Sequence, residues 1–444
     1  MPASDSDKLA VVRALVSRAP DAVIQALEAA LAGDGGGVLE PVYAMVRLES
    51  ADRARRNVVL KPVVALFRAD GRDTGWLRFP PSALREIWAG LKHAAPDVLI
   101  RADAALVDPE RTDTAAIDAP ARLAGQELRA AYHPEFAAAA RICDAARPQG
   151  AADLAACLDL ASLVRPALDR LPGWIANMDG ERIAVARLMC RDAAEVSHEA
   201  EPRVFEMLAA QLAEPWRILR VISAVTDHPG DGYLAGSELA GFGERILDAV
   251  DAELAVVSAF VQTDGPSAGA KAAEAAGRAV ALLSEIEQAI ALSRDGPWGR
   301  RVTQQKRRLS EAAEARLGEI DDAVLAALPF TNTRRSMLRR AEPLLVHEPD
   351  ETRIARAMAL LRFAHGTQGC AAVGGFSAVR MKTLEKLEQR LDGYVQDTLE
   401  RVRSSDTALA ALGRSHLAVA ADFYALVRDE KAGDLVRRRM AAAA

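Results

Sequence analysis

Aromatic side chains make up only 5% of these 444 residues. With so few large rings, a core must be filled by many small groups, and Ala dominates the apolar set. Small side chains let helices approach closely, which favours helix-on-helix packing over sheets. Cysteine is equally scarce. Cys143, Cys157, Cys190 and Cys370 form no CxxC pair and no tight cluster, which excludes both a closely spaced zinc site and a disulfide framework. No apolar run approaches the ~20 residues of a membrane span. The polar start, Met1 to Asp7, lacks a basic-then-apolar signal segment. A cytoplasmic, reduced protein is the expectation. Lysine is rare among the 56 basic residues. With the abundant Ala and Gly, this fits the bias expected of a GC-rich, bacterial genome, so the abundance of Arg is not by itself a sign of phosphate affinity. A net charge of −6 gives no electrostatic reason to bind nucleic acid or an anionic membrane.

What the chain has is helical periodicity. Hydrophobic residues make up 50% of it, enough for a sizeable core. Pro80-Pro81-Ser82 opens a helix whose stripe is Leu84, Ile87, Trp88 and Leu91. Residues 41–69 fit helix pairs or short strands, and helices are the preferred reading. From 120 to 226, amphipathic segments alternate with breaks at Pro134, Pro148 to Gly150, Pro172-Gly173, Asp179-Gly180, Pro202 and Pro215. That pattern suits stacked antiparallel helices without a fixed repeat period. Further on, Leu309, Ala313, Leu317, Ile320, Val324 and Leu328 step by three or four. Leu384, Leu387, Leu391 and Tyr394 do the same. These narrow stripes suit intramolecular core or a short coiled coil through which the chain could self-associate.

One segment is spaced for chemistry as well as for packing. Asp227-His228-Pro229-Gly230-Asp231-Gly232-Tyr233-Leu234-Ala235-Gly236-Ser237-Glu238 resembles an EF-hand calcium loop, with acids at positions 1 and 5, Gly at 6, an aliphatic residue at 8 and Glu at 12. The resemblance implies Asp227, Asp231 and Glu238 as metal ligands and calcium as the cofactor. Pro229 departs from the pattern, because position 3 normally supplies an oxygen. No second loop pairs with this one. The plain reading is a helix-turn-helix in which Pro229-Gly230 make the turn and Ser237 or Asp231 caps the following helix. The same residues spell Gly230-x-Gly232-x-x-Ala235, but a dinucleotide fingerprint needs a preceding strand, and Ile218 to Val225 is spaced as a helix.

Two other constellations bear on function. Arg300, Arg301, Lys306, Arg307 and Arg308, followed by Arg334, Arg335, Arg339 and Arg340, would form an interaction patch if the chain hairpins between them. The acids from Glu311 to Asp322 would neutralise it, leaving an ordinary solvated face. His365-Gly366-Thr367-Gln368-Gly369-Cys370 joins a thiol and an imidazole in a Gly-rich break. That could supply a nucleophile and base, though no third partner is recognisable and a helix-helix turn accounts for it. None of the seven histidines forms HExxH.

The sequence therefore predicts an all-α protein: an array of antiparallel helix pairs over 1–262, then a bundle of longer helices over 263–444, divided at the polar stretch Thr263 to Ser267. Its expected function is a non-catalytic scaffold or adaptor that binds a protein partner. The alternatives are a calcium- or ligand-responsive regulator built on the 227–238 loop and an enzyme centred on Cys370 and His365.

Overall fold

The computed structural model describes residues 5–32, 39–69, 75–108, 110, 113–226, 229–260, 265–330, 342–404 and 407–443. Among them the fold is all-α, with no strand or sheet and three isolated bridges. Residues 41–69 are helical for the most part, as Glu40–Val59 and the short turn Lys61–Val64.

The chain separates into two compact units, Met1–Thr226 and Asp227–Ala444. The division falls earlier than the 262/263 position suggested by the polar stretch. Helix Ala240–Ala259, before that stretch, packs along Pro266–Ala289, after it, so the residues between join two helices of one unit. Thr263 and Asp264 lie outside the described residues. The 226/227 division cuts instead through the segment read as helix-loop-helix.

In the first unit, helices Asp5–Arg18 and Asp21–Leu31 both pack on Glu40–Val59. Val16, Ile24 and Val46 form that small core, with Val12, Ala19, Leu31 and Val42 against it. Pro81–Ala94 begins with Pro at its first position, where no N–H is needed. It buries Leu84, Ile87, Trp88 and Leu91, the stripe read from the sequence. One expected break is absent. Helix Ala161–Ala176 runs through both Pro166 and Pro172. An interior Pro costs about 3 kcal/mol in lost bonding and crowding. The burial of Leu168, Leu171, Trp174 and Ile175 around it outweighs that cost, at ~1.5–3 kcal/mol per large side chain.

In the second unit, Gly269 lets Pro266–Ala289 lie against Glu351–Gly366 so closely that a Cβ there would collide with the Ala359 carbonyl oxygen. The first stripe of the sequence crosses two helices, Pro297–Gly318 and Ile320–Ala327, and all six of its residues are buried. In Ser377–Ser404, Leu387, Leu391 and Tyr394 are buried, and that helix packs along Thr407–Val427. Leu384, the remaining residue of that stripe, is half-buried.

Candidate functional site

The 227–238 loop holds an anchor. Residues Asp231–Leu234 form one helical turn, tied to the rest of the unit by a backbone bridge between Gly230 and Ala291. Asp231 is 1% exposed, and its carboxylate accepts from the Ser293 N–H and the Gly299 N–H, each at 3.1 Å. Gly299 is the third residue of helix Pro297–Gly318, whose N-cap Gly296 has no side chain to offer. Asp231 thus serves as that helix's cap from a distant part of the chain, with its charge at the positive helix end. Gly296 is required there, because a Cβ would occupy the position of the carboxylate.

The expectation that Asp231 or Ser237 caps the following helix, Ala240–Ala259, is corrected in part. That helix has no side-chain cap of its own, and Asp231 caps a different one. Ser237 Oγ accepts from the Leu239 N–H at 3.2 Å and donates to the Leu234 carbonyl. The Tyr233 carbonyl, a ligand in a calcium loop, accepts from the Gly236 N–H. Glu238 is exposed, and Asp227 lies outside the described residues. Among the described residues no group of three acids, histidines or cysteines is gathered for a metal.

The basic run is paired mainly across helices. Arg301 binds Glu244 at 2.9 Å and Asp251 at 2.8 Å, and Arg308 binds Asp251 at 2.6 Å, lacing Pro297–Gly318 to Ala240–Ala259. Lys306 holds Glu287, and Arg307 holds Glu311 one turn on. Arg300 is exposed, while Arg334, Arg335, Arg339 and Arg340 lie outside the described residues.

The Cys370 thiol is pushed above its ordinary value by burial and donates to the Thr367 carbonyl. His365 engages the Leu426 carbonyl through Nδ1 at 3.1 Å. In the same turn, the amides of Gln368, Cys370, Gly374 and Gly375 all donate to nearby carbonyls. Amides committed in this way are not free to stabilise an oxyanion.

A site the sequence did not mark lies in the first unit. Arg53 and Arg56, one turn apart on Glu40–Val59, are 8% and 6% exposed. Arg53 Nε donates to Glu49 at 2.7 Å and Nη1 to Asp21 at 2.7 Å. Its remaining donors reach the Val16, Ser17 and Ala19 carbonyls, closing the end of helix Asp5–Arg18. Arg56 Nη2 reaches Asp21 at 3.1 Å and Asn57 at 2.9 Å. Burial pushes the Arg56 guanidinium below its ordinary value, with Asp21 opposing and Arg53 adding to the shift. Both arginines line a cavity of about 470 Å³ with Arg18, Arg85, Phe67 and Ser82. Nothing in the local spacing around Arg53 and Arg56 marks them as a site. Only the distant acceptors, on Val16 to Asp21, show otherwise.

Comparison with known proteins finds no match to a family model, to a curated relative or to a solved structure.

Proposed function

We propose that this chain is a non-catalytic helical scaffold or adaptor, working in the cytoplasm, whose N-terminal helices present an apolar ridge to a protein partner. One observation carries the reading. Helices Asp5–Arg18 and Asp21–Leu31 turn Val12, Val16 and Ile24 inward, yet each also sets an apolar pair one turn apart facing outward. Val11 and Leu15 are 60% and 64% exposed, and Val23 and Leu27 are 44% and 38% exposed. Isolated exposed apolar residues need no explanation, but ridges at i and i+4 on two successive helices are how a helical surface grips an amphipathic partner. The residues that suggested chemistry point the same way, since Asp231 and Cys370 are occupied with structural hydrogen bonds.

The test is the double variant Leu15→Asp with Leu27→Asp. Both side chains lie outside the core, so the melting temperature should stay close to that of the parent. Affinity capture from the host should return a recurrent protein with the parent chain and lose it with the variant. Capture unchanged by the double variant would remove this surface from the account.

A further inference from the structure

Among the described residues, the cavity under the first helices carries more positive than negative charge. Its wall carries four guanidinium groups, Arg18, Arg53, Arg56 and Arg85, against two carboxylates, Asp21 and Glu49. Both carboxylates are engaged, Glu49 by Arg53 and Asp21 by Arg53 and Arg56. Arg56 donates through Nε and Nη2, while its Nη1 meets no acceptor among the described residues. A mostly buried guanidinium with one donor still reached by solvent suits an oxyanion, which its planar fork matches.

Other parts of the wall fit the same occupant. The first turn of Pro81–Ala94 lines the cavity through Pro81, Ser82 and Leu84, and its cap, Pro80, offers no side-chain acceptor. The Ala83 N–H donates to the Pro80 carbonyl, whereas the Ser82 and Leu84 amides find no backbone acceptor outside the helix among the described residues. The positive end of a helix dipole therefore adds to the arginine field. Much of the remaining wall is apolar, with Val64, Phe67 and Leu84. The volume falls within the ~300–1,000 Å³ of small-molecule sites.

We propose that this cavity binds a small organic anion, a carboxylate or phosphate carried on an apolar body, whose oxygens take the Arg56 Nη1 donor and the Arg85 guanidinium while the body lies on Phe67 and Val64. Such a ligand would neutralise the excess charge and cover apolar wall in one step. The site is independent of the partner-binding ridge, which uses other faces of the first two helices.

Calorimetric titration of the full chain with octanoate, phenyl phosphate, inorganic phosphate and octan-1-ol tests it. Saturable binding of octanoate or phenyl phosphate is expected, and their ratio identifies the headgroup. Inorganic phosphate should bind more weakly, and octan-1-ol should not saturate. Arg85 is half-buried with one long ion pair, to Glu86 at 3.7 Å, so Arg85→Gln should fold normally. It should weaken the bound anion roughly tenfold, the loss of one charge-assisted hydrogen bond. Arg56→Lys keeps the charge, loses the fork and should weaken binding in the same direction. Arg362→Gln, on an exposed position of the other unit, should change nothing. The proposal is overturned if octan-1-ol binds as well as octanoate, if no probe binds in the millimolar range, or if Arg85→Gln matches the parent.

Discussion

Replacing Asp231 by Asn keeps the side chain's shape and removes its charge, so the cost measures what the carboxylate does at the head of Pro297–Gly318. At 1% exposure there is little water to substitute for it. The carboxylate accepts from two backbone amides, at Ser293 and Gly299. An amide side chain keeps one acceptor oxygen and turns an NH2 group toward the other N–H. One charge-assisted bond is then lost, worth about 1.5–3 kcal/mol, and an amide is left without a partner. The favourable charge at the helix end goes as well, a further ~0.3–1 kcal/mol. Relief from holding a buried charge offsets part of this, leaving a destabilisation of about 2–4 kcal/mol. For a unit of this size that is a fall of roughly 5–15 °C in melting temperature. Urea unfolding followed by Trp298 fluorescence, one residue from Gly299, gives the assay. An Asn variant within about 0.5 kcal/mol of the parent would refute the capping argument. Calcium supplies a second arm. With Asp231 committed to amides, millimolar calcium should leave the parent's melting temperature unmoved. A calcium-dependent rise abolished by Glu238→Gln would restore the metal reading of the loop.

The buried thiols give the first unit an alkaline weakness. Burial raises Cys143 and Cys157 to about 12, and it raises Cys190 as well. Unfolded thiols ionise near ~8.5, so the unfolded state sheds protons first as pH rises. The stabilising contribution is complete below that value and is lost above it, at roughly 1.4 kcal/mol per pH unit for each thiol. Urea midpoints between pH 8.5 and 10 should therefore fall, and Cys157→Ala should flatten the slope by one thiol's share. An unchanged slope would contradict the assignment. Cys370, also raised by burial, should be alkylated slowly by iodoacetamide in the folded chain, whereas a rapid adduct would revive the nucleophile reading.

Much of the fold was legible because it rests on local periodicity. Leu84, Ile87, Trp88 and Leu91 lie one turn apart, and their shared face is fixed by helix geometry alone, so the stripe and its burial agree. Pro172 misled because its cost is local while the burial that overrides it is tertiary. The sites were less legible for a related reason. Asp231 finds its amides 62 and 68 residues away, and Arg53 finds its backbone acceptors 34 to 37 residues away. No short-range pattern encodes those partners. Such a charge becomes a buried pin only when the chain returns to it. The EF-hand resemblance shows the converse. Asp231 and Gly232 stand at loop spacing, but the carboxylate is directed to a helix end.

The central claim, that the outward ridge of the first two helices meets a protein partner, is tested most directly by cross-linking from the ridge itself. A photoreactive residue replaces Leu15 or Leu27, one at a time, in the full chain within host extract, with Leu435 as the control, a 51% exposed apolar position in the other unit. The account predicts that the same protein is captured from positions 15 and 27 and not from position 435. Absence of an adduct at both ridge positions, or the same adducts from all three, would contradict it.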